Sequence, residues 1–184
     1  NVEAYSTISV RSQVTGMLAA AHFQEGDYVK KGDLLFTIDP SPFQAQLEEM
    51  NANLARAEAQ YAQAQATVKR DVAQAHYAES QAARYAELAR GGIVSRDQTE
   101  QMQSSADAAA EGVKADEAAV KSAEAAAAAT RATLANAKIQ LGYTTIRSPI
   151  EGRTGNLTVK AGNLANANTA ELVTINQVQP VYVT

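Results

Sequence analysis

The chain contains no cysteine and no tryptophan, and only three phenylalanines among its 184 residues. The lack of cysteine excludes a disulfide framework, a thiolate metal site and a cysteine nucleophile. Because large side chains are scarce and alanine is abundant, the composition disfavours one large globular core and favours an elongated module. The net charge of −4 provides no basic surface, so we exclude nucleic acid as a partner.

Long apolar runs are also missing from the sequence. None approaches the length of about 20 residues that a membrane-spanning helix requires, and no signal-peptide pattern opens the chain. The chain starts in a strand-like segment at residues 1–10 and stops in another at residues 180–184. We therefore expect a fragment of a longer protein, with any targeting signal or lipid anchor outside it.

Short strand patterns separated by turn residues fill the first forty positions. β-Branched, aromatic and other apolar residues recur at 2–10, 17–23 and 34–38, and glycine-containing turns lie at 25–27 and 30–33. Several short strands with such turns between them predict a small β-sandwich.

The next hundred residues, 41–141, form an alanine-rich stretch that is interrupted once, by the segment 90–95 with its glycine pair. We interpret this stretch as two long helices joined by a turn. Arms of about 50 and about 46 residues correspond to roughly 75 and 70 Å at about 1.5 Å per residue. Because the arms match, we expect an antiparallel hairpin that returns the chain close to where it left.

Both helices begin with recognisable capping residues. Ser41 precedes Pro42 and Gln44 at the spacing of a capping box with proline at the first helical position. Ser95 and Gln98 repeat the box at the start of the second helix. We therefore predict that both serines are N-caps.

Apolar residues follow a seven-residue period along both helices, which is typical of a coiled-coil seam. Because most of them are small, the two helices can approach closely. We expect residues midway along the arms, such as Val68 and Val113, to face one another. The predicted seam residues are Leu47, Leu54, Tyr61, Val68, Ala75, Ala82 and Ala89 with Ala57 and Ala64 between them, then Val113, Val120, Ala127, Leu134 and Leu141.

The sequence after the hairpin repeats the sequence before it. Three matches occur in the same order on both sides, and such internal repeats indicate two copies of one supersecondary unit. Each copy is too short to bury a core alone, so we predict one two-fold sandwich that the hairpin divides. The matched segments are Arg11–Gly16 with Arg147–Gly152, Val29–Asp33 with Val159–Asn163, and Leu35–Ile38 with Leu172–Ile175.

Two half-motifs of the type Val-x-Glu-Gly-x-x-Val-x-x-Gly-x-x-Leu, divided by a helical hairpin, resemble a known family. The segments Gln24–Pro40, Tyr143–Gly155 and Leu172–Val183 are similar to the most recognisable stretches of the periplasmic adaptor proteins, or membrane fusion proteins, of tripartite efflux and secretion systems. The third segment resembles adaptors of resistance-nodulation-division pumps in particular. The resemblance covers essentially the whole chain.

The resemblance implies an α+β fold. A long antiparallel coiled-coil hairpin would be inserted between the two halves of a lipoyl-like β-sandwich, with strands of a partial β-barrel at the termini. The implied segments are a barrel strand at 1–9, lipoyl-like halves at 10–40 and 142–176, the hairpin at 41–141 with its tip at about 90–95, and the start of a β-barrel domain at 177–184.

For function, the resemblance implies a periplasmic adaptor subunit of a multidrug efflux pump, associated with the inner membrane. Such a subunit links an inner-membrane transporter of the resistance-nodulation-division type to an outer-membrane channel protein. Copies of it associate into a ring, hexameric in the full pump, and form part of a sealed export duct. It is not an enzyme and needs no cofactor.

Two alternatives share parts of this pattern. An adaptor of an ABC-type export or secretion system would have the same hairpin and β halves. A lipoyl or biotinyl carrier would need a modified lysine at the turn between its half-units. In this chain the hairpin is inserted at that turn, and Lys30 and Lys31 lie at a different one.

The resemblance also names candidate residues at the hairpin tip. Adaptors of this kind carry Arg, Leu and Ser near the turn, with Leu four residues after Arg and Ser seven after Leu, and here the pattern falls on Arg84, Leu88 and Ser95. This implies contact with an outer-membrane channel or a neighbouring adaptor. From the residues alone, Arg84 is a solvated charge, Leu88 a seam residue and Ser95 an N-cap. The pair Gly91–Gly92 departs from the family pattern and predicts a looser turn.

No catalytic or metal site is expected. His22 and His76 lie on a predicted strand and a predicted helix, without acidic neighbours at ligand spacing. The pairs Glu48–Glu49 and Asp116–Glu117 lie on the long helices, where we expect them to be solvated.

Overall fold

A computed structural model describes residues 2–3, 6–169, 171–177 and 182–183, and this part of the chain forms ten strands and two helices. The predicted α+β fold is confirmed. The chain divides into a β-sandwich unit (residues 1–49 with 134–184) and a hairpin unit (residues 50–133). The elements are β1 (Val2–Glu3), β2 (Ser6–Arg11), β3 (Gly16–Ala21), β4 (Tyr28–Val29), β5 (Leu34–Ile38), α1 (Ser41–Arg90), α2 (Arg96–Gly142), β6 (Thr145–Arg147), β7 (Gly152–Thr154), β8 (Leu164–Ala165), β9 (Glu171–Gln177) and β10 (Tyr182–Val183).

The β-sandwich unit contains two four-stranded sheets with the same internal order. One sheet runs β2-β9-β7-β4 and the other β6-β5-β3-β8, and all neighbouring strands pair antiparallel. In each sheet the two central strands come from one side of the hairpin in sequence, and both outer strands come from the other side. The two halves therefore exchange strands.

The longest pairing joins β2 to β9, from Ser6 opposite Gln177 to Arg11 opposite Glu171. β2 pairs with β9 over its whole length. At the termini, β1 and β10 pair in a separate two-stranded sheet. The rest of the predicted terminal barrel segments, at residues 1, 4–5, 178–181 and 184, lies outside the described residues.

The sequence repeat is also a repeat of hydrogen bonds. Ser12 and Ser148 are both buried, and each hydroxyl donates to the backbone carbonyl two residues further along. At the matched turns, the Asp33 amide donates to the Lys30 carbonyl and the Asn163 amide to the Lys160 carbonyl, each over 3.1 Å. The predicted two-fold repeat is confirmed in this detail.

The core lies between the two sheets, and equivalent positions of the two repeat halves contribute buried side chains to it. At three matched pairs of positions in β5 and β9 the side chains are fully buried, and Phe23 packs edge-on against one of them, Phe36, at a ring distance of 5.2 Å. Each half therefore contributes side chains that only the other half can cover. The matched residues are Leu35, Phe36 and Ile38 with Leu172, Val173 and Ile175.

The seam predicted in the helices is confirmed. Every predicted seam residue is buried or half-buried. In both α1 and α2 the buried and half-buried residues recur at alternating spacings of three and four residues. This spacing is that of a left-handed coiled coil. Ala57, Ala82, Ala106 and Ala127 are the most enclosed seam positions of the hairpin unit, so the small side chains lie at its centre.

Within the hairpin unit the two helices run antiparallel. Arg131 Nη2 lies 2.7 Å from Glu58 Oε1, which ties a residue early in α1 to one late in α2. Both side chains are about half exposed, at 60% and 49%, so the ion pair contributes little stability, typically about 0–1 kcal/mol. The contact shows the direction and the approximate register of the arms.

The predicted register of the arms is wrong by one heptad. Val68 lines one groove with Val120, and Ala75 lines the next with Val113. Val68 and Val120 lie at nearly equal sequence distance from Ile93, at the centre of the turn. Val68 and Val113 do not, and an antiparallel hairpin pairs residues that are equidistant from its turn.

The first helix has a different cap from the one predicted. The Ser41 hydroxyl and amide both donate to Asp39 Oδ1, over 2.7 and 3.0 Å, while the Gln44 amide donates to the Pro40 carbonyl over 2.8 Å. These two bonds from Ser41 lower the pKa of Asp39. Ser41 is therefore not the N-cap, because a carboxylate at the positive end of a helix accepts these bonds better than a hydroxyl does.

Two matched glycines allow close packing in the sandwich. A Cβ at Gly16 would lie 2.5 Å from Ile38 Cγ2, and one at Gly152 would lie 2.5 Å from the Asn176 carbonyl oxygen. A side-chain methyl can rotate away, whereas a backbone oxygen inside a paired strand cannot move without breaking the β7–β9 pairing.

We expect Gly152→Ala to destabilise the β-sandwich unit by about 1–3 kcal/mol, the usual cost of overpacking. Amide hydrogen exchange of Leu172, Val173 and Ile175 would measure the loss directly. Gly142→Ala is the matched control, since a Cβ there meets nothing within 4 Å. Equal protection in Gly152→Ala and wild type would contradict the close approach.

We also expect cysteines at positions 68 and 120 to form a disulfide within one chain on mild oxidation. The chain has no native cysteine to compete. The pair at positions 68 and 113 is the control and should remain reduced, because it is displaced by one heptad, about 10 Å along the helix axis. Non-reducing electrophoresis with mass spectrometry separates the two outcomes, and cross-linking of the control alone would disprove the register.

Candidate partner-binding tip of the helical hairpin

The turn between the helices is closed by hydrogen bonds. The Ile93 amide donates to the Leu88 carbonyl and the Gly92 amide to the Ala89 carbonyl, each over 3.0 Å. Gly92 has a φ of 71°, the left-handed conformation that glycine adopts without strain. This combination is a Schellman motif, so the glycine pair forms a defined C-cap.

The second helix begins with a reciprocal capping box, as predicted. The Ser95 amide donates to Gln98 Oε1 and the Gln98 amide donates to Ser95 Oγ, both over 3.2 Å. Thr99 adds two bonds to the Ser95 carbonyl, from its amide over 3.3 Å and its hydroxyl over 3.2 Å. The tip is therefore fixed on both sides, by a C-cap on α1 and an N-cap on α2.

The three predicted site residues differ in their surroundings. Arg84 is exposed and makes no hydrogen bond or ion pair with any described residue. Leu88 is half-buried, next to the seam position Ala89. Ser95 is exposed, but its hydroxyl is engaged in the capping box. No bond joins the three within the described chain, so their shared location is the tip itself.

Ile93 is a tip residue that the sequence analysis did not single out. It follows the glycine pair directly and is 72% exposed, the highest fraction among the exposed large apolar side chains of the described residues. The signal in the sequence was its position just after the C-cap, where an apolar residue commonly packs back on the helix.

Residues 84–97, which include the tip and the helix ends beside it, carry a small positive net charge within an acidic chain. They contain three arginines, at 84, 90 and 96, and two acidic residues, at 87 and 97, and all five side chains are exposed. None of these charges forms an ion pair within the described residues. This segment therefore exposes unpaired charges and the apolar side chain of Ile93.

Two carboxyl groups meet in the middle of the hairpin unit, which the sequence analysis did not expect. Asp71 of α1 and Asp116 of α2 are half-buried seam residues, and each carboxyl group shifts the pKa of the other. Two neighbouring carboxyl groups resist ionising together, because their negative charges repel. Asp116 is thus not the solvated residue that was predicted, although its neighbour Glu117 is exposed.

Arg70 makes the two carboxyl groups unequal. Its Nε lies 2.6 Å from Asp71 Oδ1, and this hydrogen bond is the main cause that lowers the pKa of Asp71. The pKa of Asp116 is raised, first by its interaction with Asp71 and then by desolvation. As the pH falls, Asp116 is therefore protonated before Asp71.

Neither histidine belongs to a metal-binding cluster within the described part of the chain. His22 Nε2 lies 2.9 Å from Thr37 Oγ1, and His76 lines the groove between the arms. No set of three or more His, Asp or Glu side chains suited to a metal ion occurs among the described residues. In the same part of the chain, neither helix is apolar enough to cross a membrane.

Comparison with known families adds a decisive observation. The family model for the RND MFP, barrel-sandwich hybrid domain, matches residues 6–177. The chain belongs to this family. The match begins at β2 and ends at β9, the two strands whose pairing closes the first sheet, and it confirms the resemblance to membrane fusion proteins. Membership of a family of structural adaptors also agrees with the prediction that the chain is not an enzyme.

Curated relatives carry the RND MFP domain within a longer protein. Multidrug resistance protein MdtA of Klebsiella pneumoniae is 38% identical over 181 residues, which is 98% of this chain and 37% of the relative. MdtA of Escherichia coli K12 is 36% identical over 181 residues, again 98% of this chain and 37% of the relative. The RND MFP chain described here therefore spans little more than a third of the curated relatives it matches.

A solved structure supports the same fold. MacA from Actinobacillus actinomycetemcomitans superposes with a TM-score of 0.65 at 25% sequence identity, covering 98% of this chain and 52% of that one. The likeness of this RND MFP chain to MacA thus covers sandwich strands and helices alike.

We expect Asp116→Asn to raise the melting temperature of this RND MFP chain at neutral pH. The pKa of Asp116 is raised in the folded state, so its ionisation opposes folding as pH rises through that pKa, and below it the opposition is absent. An asparagine amide can donate an N–H to Asp71 at any pH, because it does not ionise. The gain should therefore shrink as the pH is lowered, as measured by circular dichroism at 222 nm.

Asp107→Asn is the control for this experiment, since Asp107 is an exposed residue of the same helix and bonds only to Gln103. Its effect should show no such rise towards neutral pH. A lower melting temperature of Asp116→Asn at neutral pH, or a gain that does not change with pH, would contradict the raised pKa of Asp116.

Proposed function

We propose that this chain is part of a periplasmic adaptor subunit of a multidrug efflux pump. In this role it is associated with the inner membrane and links an inner-membrane transporter, of the resistance-nodulation-division type, to an outer-membrane channel. Membership of the RND MFP family carries the proposal. The relatives named multidrug resistance proteins, at 36–38% identity, support the drug-export role.

Within the subunit, we propose that the tip binds a partner through Arg84, Leu88 and Ser95, together with Ile93. The support is the exposed Arg84 without a partner in the described chain, the 72% exposed Ile93, and a turn fixed by caps on both sides. A rigid turn loses little conformational entropy on binding. The partner surface should present carboxylates or carbonyl oxygens around an apolar pocket.

We further propose that several copies associate side by side into a ring, hexameric in the full pump, that forms part of a sealed duct. The domain limits proposed for such a subunit are a lipoyl-like sandwich at 10–40 and 142–176, the hairpin at 41–141 with its tip at about 90–95, and barrel segments at 1–9 and 177–184. No covalent chemistry is needed for this role.

Deletion of the gene for the whole protein in its native host tests the role in export. The deletion strain should become susceptible to several unrelated drugs, and the intact gene should restore resistance. Purification of the tagged subunit after cross-linking in cells should recover a transporter and an outer-membrane channel. Unchanged susceptibility together with recovery of neither partner would reject the proposal. Recovery of an ABC exporter would show that the transporter is not of the resistance-nodulation-division type.

Substitution at the tip tests the partner contact separately. We expect Arg84→Asp, and likewise Leu88→Ala, to reduce resistance to the level of the deletion strain, because the first reverses an unpaired charge and the second removes an apolar contact. Minimum inhibitory concentrations measure the loss, and immunoblots and circular dichroism check expression and fold.

Arg56→Asp provides a matched control for the charge reversal. Arg56 is an exposed arginine of the same helix, four heptads before Arg84, and it forms no ion pair within the described residues. It should leave resistance unchanged. If Arg84→Asp and Arg56→Asp have the same effect, the loss comes from charge on the helix and not from the tip.

A further inference from the structure

A cationic cavity lies in the β-sandwich unit, apart from the hairpin tip. Its volume is about 260 Å³ and it is lined by residues of β2, β6 and the segments beside them, including Ser9, Arg11, Tyr143, Thr145 and Arg147. The buried side chains of Val10 and Ile146 also line it. The cavity is therefore built from two outer strands, one from each sheet.

The two arginines are equivalent positions of the internal repeat. Arg11 begins the segment Arg11–Gly16, and Arg147 begins the matching segment Arg147–Gly152. Ser9 and Thr145 are likewise equivalent, so the cavity has a hydroxyl and a guanidinium from each half. Strand exchange brings the two copies of one short pattern to a single cavity.

The donors of this cavity lack acceptors within the described chain. None of the lining residues is acidic. The Arg11 side chain makes no hydrogen bond or ion pair there, although Glu171 lies opposite Arg11 in the strand pairing. Arg147 donates only Nη1, to the Gly32 carbonyl over 2.9 Å, which holds its guanidinium in place. The hydroxyls of Ser9, Tyr143 and Thr145 make no hydrogen bond to any described residue.

We propose that this cavity binds one oxyanion group, a phosphate or a carboxylate, through the guanidinium groups of Arg11 and Arg147. Guanidinium groups form short paired hydrogen bonds with both kinds of anion. The hydroxyls beside them supply further donors, and a volume of about 260 Å³ holds one such group with a small substituent. Two arginines line this cavity and no carboxylate of the lining balances their charge, so we expect an anionic ligand to do so.

Nuclear magnetic resonance titration of the ¹⁵N-labelled full chain tests the site. Inorganic phosphate and acetate are added in separate experiments at constant ionic strength, so that general screening does not change. We expect saturable shifts of the Val10, Arg11, Ile146 and Arg147 amides. Saturation with phosphate alone identifies a phosphate site, and saturation with acetate shows that a carboxylate is also accepted.

Arg11→Gln is the deciding variant, since Arg11 supports no other described contact, and it should weaken binding about tenfold, as loss of a charged hydrogen bond predicts. Arg147→Gln should do the same but also removes the bond to Gly32. Arg153→Gln is the matched control, because Arg153 lies in the same unit and also donates to a glycine carbonyl, that of Gly26, over 2.9 Å. No saturable shift with either anion, or an equal loss in Arg153→Gln, would overturn the proposal.

Discussion

Each sheet of the sandwich is completed by strands from the other half of the chain, and the rest of the structure depends on that exchange. The central strands β5 and β3 are flanked by β6 and β8, which follow the helices in sequence, while β9 and β7 are flanked by β2 and β4, which precede them. Neither half can cover its own buried side chains. A long insertion between the halves is compatible with this core only if its two ends come back together, and a hairpin of matched arms meets that condition.

Much of this fold could be predicted because its signals are local and repeated. The heptad spacing gave the seam, and matched segments gave the two-fold sandwich, since both depend on residues a few positions apart. The register of the arms could not be found this way. Valine occupies positions 68, 113 and 120 alike, so pairing Val68 with Val113 or with Val120 looks equally good in sequence. Only the position of the turn at Gly92 distinguishes them.

The errors at polar residues have a different physical cause. Ser41 and Asp39 are both capping residues by type, and the choice between them depends on which side chain reaches the first free amides. Asp116 was assigned to solvent because carboxylates usually are, yet it faces Asp71 across the seam. At the tip, sequence reasoning identified the capping role of Ser95 but overlooked Ile93. The binding role of Arg84 stays a prediction, because it concerns a partner and not a contact within the chain.

The pairing of β2 with β9 also sets an order of events during synthesis. Ile8 lies opposite Ile175, so β2 cannot pair with β9 until residue 175 has been synthesised. Helix segments form in about a microsecond and need only neighbouring residues, whereas such distant strand pairs fold slowly because a long loop must close. The helices shorten that loop before β9 is available. The hairpin that separates the two halves in sequence therefore also shortens the distance over which their strands must meet.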